Sequence, residues 1–228
     1  MEFSPVTHVI FDLDGLLLDT EELYGRADKE LLRSYGHELS WCVQEKLMGT
    51  SDQDSARIIV EEYNLEISPQ CYLEEYYVRA IKLLPEARVK PGAERLVRHL
   101  HQHKVPMAIC TGSPSKHYSL KTSNYSWFSL FEHVITVTDD PRVSNGKPAP
   151  DCFQLCASQF RHPPKIPNHV LVFEDALNGV EAALAAGMQV VMVPDPRVDA
   201  RTRAKASLCI DSLQDFRPEL FGLKPFES

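Results

Sequence analysis

Long apolar runs are missing from this sequence: no stretch approaches the ~20 residues needed to cross a bilayer, so no membrane partner is expected. Positive charge is also scarce. Lys and Arg number 24 against 32 Asp and Glu, a formal net charge of −8. That balance argues against a nucleic-acid partner, which would ask for a basic face to neutralise phosphates. It leaves open a small phosphorylated ligand held by a few local cations. Cys42, Cys71, Cys110, Cys152, Cys156 and Cys209 never form a C-x-x-C pair. A zinc site is therefore not expected, and reduced thiols in a cytoplasmic protein are the simpler account. Met1 to Thr7 carries neither a basic n-region nor an apolar stretch, so no signal peptide is expected. Internal repeats and low-complexity tracts are absent as well. A monomer is the default expectation.

What is present begins with Val9-Ile10-Phe11, a short run of β-branched and aromatic residues that reads as a buried strand. It ends abruptly in Asp12-Leu13-Asp14-Gly15. Side chains two apart on an extended backbone point the same way, so Asp12 and Asp14 are expected to emerge together at the strand's carboxyl end. In open α/β sheets that end is where ligands bind.

From Thr20 to Leu84 no strand signal appears, and the spacing predicts about four helices. Thr20 is read as an N-cap with Glu21 and Glu22 in the first turn, followed by Leu23, Ala27 and Leu31 at helical spacing until Gly36. A second helix follows Ser40 and stops near Gly49. Ser51 is read as the cap of a third, with Ile58, Ile59 and Tyr63 inward. Ser68-Pro69 opens a fourth by placing a cap before proline. Its expected stripe is Leu73, Tyr76, Tyr77, Ala80 and Leu84.

After a return linker from Pro85 to Gly92, strands and helices alternate. Strands are expected over 106–110, 134–137, 170–173 and 190–193, with helices over 93–103, after Pro114, over 151–160 and over 180–186. The pattern predicts an α/β fold: a Rossmann-like, doubly wound parallel sheet core carrying an inserted all-helical cap domain. The expected boundaries are 1–19 with 86–228 for the core and 20–85 for the cap. At 228 residues and 43% hydrophobic content, the chain is long enough to bury the core this requires.

Three strand ends carry polar groups of one kind: Asp12 with Asp14, Thr111 with Ser113, and Glu174 with Asp175. Lys147 stands in the loop Asn145-Gly146-Lys147-Pro148-Ala149-Pro150. Parallel strands share one carboxyl edge, so these groups can converge. Four acids, a hydroxyl turn and a lysine would suit a divalent cation and a phosphoryl group, because Mg²⁺ takes oxygen ligands from carboxylates and substrate phosphate.

The ordered set Asp12-x-Asp14-Gly15-x-x-x-Asp19-Thr20, Thr111, Gly146-Lys147-Pro148-x-Pro150-Asp151 and Glu174-Asp175 resembles the four motifs of the haloacid dehalogenase-like phosphotransferases. The resemblance implies an Mg²⁺-dependent phosphomonoester hydrolase with a helical cap between the first two motifs. Asp12 would be the nucleophile that forms an aspartyl-phosphate. Asp14 would be the general acid and then the base. Thr111 and the amides of Gly112 and Ser113 would hold phosphoryl oxygens, and Lys147 would offset negative charge. Asp12, Asp175 and the backbone carbonyl of Asp14 would hold the metal, with Glu174 directly or through water. The runs 6–12, 178–194 and 212–216 further resemble a nucleotide-phosphatase branch of that family, which implies a small phosphorylated metabolite as substrate, pseudouridine 5′-phosphate or a similar nucleotide monophosphate, with a sugar or polyol phosphate as the alternative. Glu22, Tyr24 and the turn Gly49-Thr50-Ser51 are candidates to touch the leaving group.

Rival readings are weaker. Cys110 precedes Lys116 by six positions, but the arginine a cysteine phosphatase needs is absent, so Cys110 reads as a buried strand thiol. On a helix only His99 and His103 of the tract His99, His101 and His103 share a face, and a solvated surface is expected there. Cys152 and Cys156 read as core. Family mutases carry a His and an Arg where Tyr24 and Asp52 stand here, which disfavours mutase chemistry. Dehalogenases lack the second acid, so Asp14 speaks against them. A catalytically idle scaffold of the same fold is the alternative of another class. Retained repelling carboxylates disfavour it.

Overall fold

A computed structural model describes residues 3–47 and 52–227, apart from the side chains of Glu45 and Asp52. The turn Gly49-Thr50-Ser51 lies outside the described residues. The chain divides into two compact units, Met1–Asp19 with Arg88–Ser228, and Thr20–Ala87.

In chain order, β1 (His8–Phe11) and β2 (Leu18–Asp19) precede the helical unit. That unit contains α1 (Glu21–Ser34), α2 (Trp41–Leu47), α3 (Asp52–Glu62) and α4 (Pro69–Leu83). The chain returns through β3 (Arg88–Val89) to α5 (Ala93–Gln102), β4 (Met107–Thr111), α6 (Ser115–Thr122) and β5 (His133–Thr136). It continues with α7 (Asp151–Ser158), β6 (Val170–Glu174), α8 (Leu177–Ala185), β7 (Gln189–Met192), α9 (Ala200–Arg203) and β8 (Leu208–Cys209).

Six strands form one sheet in the order β5-β4-β1-β6-β7-β8. Every pairing in it is parallel, with β1 between β4 and β6. The chain therefore builds outward from β1 on one side and then crosses back to the other. That is the topological switch point, where carboxyl ends open a crevice. Alternation divides the apolar residues between faces. Ile10, Ala108, Cys110 and Val172 meet α7 and α8 through Phe153, Cys156 and Val180. On the opposite face Phe11 stacks on Phe173 at 4.9 Å and meets Phe131 edge-on at 5.8 Å.

Beyond the expected elements, β8, α9 and the antiparallel pair β2–β3 are present. The pair sets Leu18 opposite Val89 and Asp19 opposite Arg88. Because β3 belongs with β2, the seam falls after Ala87, two residues beyond the expected one.

Within the helical unit, Leu31, Leu32, Val43, Ile59, Tyr72 and Leu73 form a common buried cluster. Ser68 caps α4 by accepting from the Cys71 amide at 3.1 Å, with Pro69 at the first helical position. Two details differ from expectation. Thr20 stands at the N-cap of α1 in a helical conformation, and its side chain makes no capping bond. On α4 the buried face is Tyr72, Leu73, Ala80 and Leu83, while Tyr76 and Tyr77 are only half-buried. Tyr72 belongs inside because its hydroxyl has a partner, donating to Asp28 Oδ1 at 3.0 Å.

Candidate active site

The loop after β1 is built from alternating purposes. Leu13, Leu16, Leu17 and Leu18 are fully buried, each contributing roughly 1.5–3 kcal/mol of apolar burial. They anchor the backbone so that Asp12 and Asp14 are held at the strand end. The loop closes on itself: Gly15 N donates to the Leu18 carbonyl at 2.9 Å, and Leu17 N to the Leu13 carbonyl at 3.0 Å. Gly15 has φ +76°, which favours glycine. It is also needed sterically, since a Cβ there would lie 2.1 Å from Asp175 Oδ2.

Asp12, at the end of β1, is buried. Its Oδ1 accepts from Lys147 Nζ at 2.6 Å. The same ammonium donates to Glu174 Oε1 at 2.6 Å and to the Cys110 carbonyl at 3.1 Å. Lys147 is thus a buried tether between the ends of β1, β4 and β6, not a solvated lysine. Glu174, the last residue of β6, has its other oxygen occupied: Oε2 accepts from the amides of Asp175 at 3.1 Å and Ala176 at 3.3 Å. Gly179 makes room for this carboxylate, because a Cβ there would meet Glu174 Oε1 at 1.8 Å.

Asp12, Glu174 and Asp175 each offer an oxygen, and these oxygens all lie within 4.8 Å of one another. Among the described residues this is the one cluster of acids, histidines or cysteines with metal-holding geometry. Its donors are hard oxygens, and Lys147 pairs with two of the three carboxylates, a donor set suited to a divalent cation. Burial pushes the Asp12 carboxyl up to about 7, with Glu174 and Asp14 adding to the rise and Lys147 opposing it. For Lys147, burial alone would favour the neutral amine. The Asp12 and Glu174 carboxylates override it and hold the ammonium well above the usual lysine range.

The side chain of Asp14 does not join that trio. Its Oδ2 accepts from Ser113 Oγ at 2.8 Å and from Thr111 Oγ1 at 3.3 Å. Its Oδ1 accepts from Lys121 Nζ at 2.5 Å. The two acids therefore leave one strand end for different surroundings, each with its own lysine. Thr111 Oγ1 also accepts from the Ser113 amide at 3.1 Å, so the Thr111 hydroxyl expected at a phosphoryl group faces Asp14 here, as does the Ser113 hydroxyl beside it. The space where a Gly112 Cβ would stand is open.

Lys121 is the residue that sequence reasoning missed. It lies on α6 four positions after His117, and both are buried. No apolar stripe marks that helix face as an inward one, so the lysine reads as surface from sequence alone.

Other expectations resolve locally. Cys110 is fully buried, and burial pushes its thiol well above the usual range, which makes it a poor nucleophile. Cys152 and Cys156 are core residues. His99 is not on a solvated face: it is buried, and its Nε2 donates to the Lys224 carbonyl at 2.8 Å. The chain's last segment covers α5 there, which the periodicity of the helix itself could not reveal.

A family profile described as haloacid dehalogenase-like hydrolase matches residues 6–187. A protein from Drosophila melanogaster, described as a probable pseudouridine-5′-phosphatase, is 47% identical over 97% of this chain and 96% of its own length. A (DL)-glycerol-3-phosphatase 2 from Arabidopsis thaliana is 46% identical over 97% of this chain and 93% of its own. In three dimensions the chain is similar to a HAD family hydrolase from Deinococcus radiodurans R1, with a TM-score of 0.79 and 24% identity over 98% of this chain and all of that one. This last likeness speaks to the fold, and the first three to descent. An acid pair behind β1, a buried lysine and a second acid pair behind β6 thus sit on a sheet and in a sequence of known lineage: the chain belongs to the haloacid dehalogenase-like hydrolases.

Proposed function

We propose that this protein hydrolyses small phosphomonoesters through a covalent phosphoryl-aspartate on Asp12. The observation that carries the reading is the cluster at the ends of β1 and β6, where Lys147 joins Asp12 to Glu174 within reach of Asp175. In the first step an Asp12 oxygen bonds to phosphorus while the ester P–O bond breaks, and Asp14 gives its proton to the departing alkoxide. In the second step water bonds to phosphorus, the acyl-phosphate P–O bond breaks, and the water's proton passes to Asp14. Free Asp12 and inorganic phosphate result, with Asp14 again protonated.

Asp12 and Asp175, with the carbonyl of Asp14, are the residues that would hold Mg²⁺. Glu174, already bonded to Lys147 and two amides, would orient the site from behind. The cation supplies charge neutralisation for the phosphoryl group and keeps the carboxylates ionised. Lys147 lowers the negative charge on the attacking side, which is most of what phosphoryl transfer asks of a protein. Thr111, Gly112 and Ser113 form the turn on which phosphoryl oxygens would rest.

The helical unit, residues 20–87, is read as the cap that chooses the leaving group. The two enzyme relatives match almost equally well, at 47% and 46% identity, yet their names point to a nucleotide and a polyol phosphate. We favour pseudouridine 5′-phosphate or a similar nucleotide monophosphate, with glycerol phosphate as the alternative. Six free cysteines fit a reducing, cytoplasmic setting.

Phosphate release from pseudouridine, uridine, glycerol and sugar phosphates in the presence of Mg²⁺, with Asp12→Asn as the control, tests both levels. Turnover that Asp12→Asn abolishes supports the hydrolase, and the ranking within the panel selects the substrate. No turnover on any phosphomonoester would favour a scaffold instead.

A further inference from the structure

Lys121 is wholly buried, on a helix with no apolar face to require it there. Lysine is rarely buried to this degree unless it is paired. Its ammonium donates to Asp14 Oδ1 at 2.5 Å and to Ser113 Oγ at 2.5 Å, while Ser113 Oγ donates to Asp14 Oδ2 at 2.8 Å. The three groups close a ring in which both carboxylate oxygens of Asp14 are tied. Thr111 Oγ1 adds a weaker bond at 3.3 Å. A carboxylate held at both oxygens cannot turn about its terminal bond.

Stability alone does not account for such a group. A buried ion pair is often no better than apolar side chains of the same volume. What the ring does achieve is separation. Lys147 serves Asp12 and Glu174, while Lys121 serves Asp14. Asp14 is therefore kept from competing for the Lys147 ammonium, yet its side chain stays 26% exposed and open to a departing group.

We infer that Lys121 is a positioning residue for leaving-group departure, fixing the plane of the Asp14 carboxyl through a ring shared with Ser113. The inference rests on the reading of Asp14 as the acid of the hydrolase proposed above. It places the effect of Lys121 on the bond being broken and not on the attack by Asp12.

The test is a comparison of two leaving groups. An alkyl phosphate such as glycerol 3-phosphate needs its alkoxide protonated, whereas p-nitrophenolate departs without a proton. In Lys121→Met the ratio of kcat/KM for the alkyl ester to kcat/KM for p-nitrophenyl phosphate, which covers only formation of the phosphoryl-aspartate and not the water step common to both esters, should fall by about 10–100-fold, part of the 10²–10⁴ that a positioned acid supplies. Asp14→Asn should move the same ratio at least as far. Within one preparation the ratio is independent of how much enzyme is active. Lys121→Gln, if the Met variant does not fold, is read in the same way. Equal falls on both esters would mark Lys121 as merely structural or phosphate-binding and overturn the inference. A ratio shifted by Asp14→Asn but not by either Lys121 variant would overturn it alone. A ratio unmoved by Asp14→Asn would overturn the assignment of Asp14, and this inference with it.

Discussion

Ion pairs at the strand ends and ion pairs on the helical unit use the same chemical groups in opposite settings. Arg26–Glu86, Arg33–Glu38, Arg57–Asp54 and Arg79–Glu75 are each at least 27% exposed at both ends. Pairs of this kind contribute little, because water and salt screen them. Lys147 with Asp12 and Glu174 is buried at every member, and Lys121 is wholly buried beneath an Asp14 that keeps one side toward solvent. Burying them runs against desolvation, which is where an enzyme accepts instability in exchange for chemistry. The ion pairs of the helical unit stay in water, whereas the sheet unit holds charge where a solvated chain would not.

The largest expected break in that contrast is Lys147→Met. It leaves Asp12 and Glu174 buried without their cation. Activity should fall by on the order of 10²–10³, and denaturation in EDTA should show a loss of about 3–5 kcal/mol. Arg57→Met on the helical unit should leave both readings within error. An equal loss from the two variants would erase the distinction.

Gly15→Ala comes next. The new Cβ meets Asp175 Oδ2 and also strains a residue at φ +76°, so Asp175 must move. The Mg²⁺ concentration for half-maximal activity should rise by about 10–100-fold, as measured by titrating phosphate release with Mg²⁺.

Inside the helical unit, Tyr72→Phe removes the bond to Asp28. Urea unfolding should register a loss of about 1–2 kcal/mol. Its kcat on p-nitrophenyl phosphate should hold, since the change touches packing and not the charged ends of the strands.

The smallest effect is a pH dependence of the sheet unit. His8 and His133 both pack against Phe160, with ring centroids 4.7 and 4.9 Å from it. Burial lowers both imidazoles below the ordinary value of 6.5. His133 Nε2 donates to the Cys156 carbonyl at 2.9 Å, and its Nδ1 has no partner among the described residues, so a proton there would be unsatisfied. The unfolded chain takes up these protons first as pH falls. Their contribution is therefore full above 6.5 and declines below it toward the folded values. Asp12, raised to about 7, contributes in the opposite sense over the same range, and does so equally in the unaltered protein and in His133→Gln, which keeps the donor to Cys156. On going from about pH 7.5 to about pH 5.5, the urea midpoint should therefore fall less, or rise more, in His133→Gln than in the unaltered protein.

How far the sequence reveals all this follows from the same contrast. The strands at 8–11, 107–111, 170–174 and 189–192 are short apolar runs, and runs of that kind are legible. So were the acids and Lys147, because each ends a strand or sits beside a glycine turn. Strand β8, Leu208–Cys209, is too short to have a period. Tyr72, four residues before Tyr76 and eight before Ala80, stands at the edge of the expected stripe, and its place inside is completed by the hydrogen bond to Asp28, which the spacing does not reveal. Lys121 was illegible for the deeper reason that its burial is decided by Asp14, far away in the chain. Periodicity reports what a helix does to itself and its floor, and no local pattern announces a distant carboxylate.

The ladder of Leu18 with Val89 and Asp19 with Arg88 makes the departure and the return of the chain neighbours. Anything threaded between them is a loop whose ends are already together, so its length and content place almost no strain on the sheet. Residues 20–87 can on that account be treated as an exchangeable cassette. A tight turn joining Asp19 to Arg88 would finish a hairpin, and helical segments from relatives could be spliced at the same two residues.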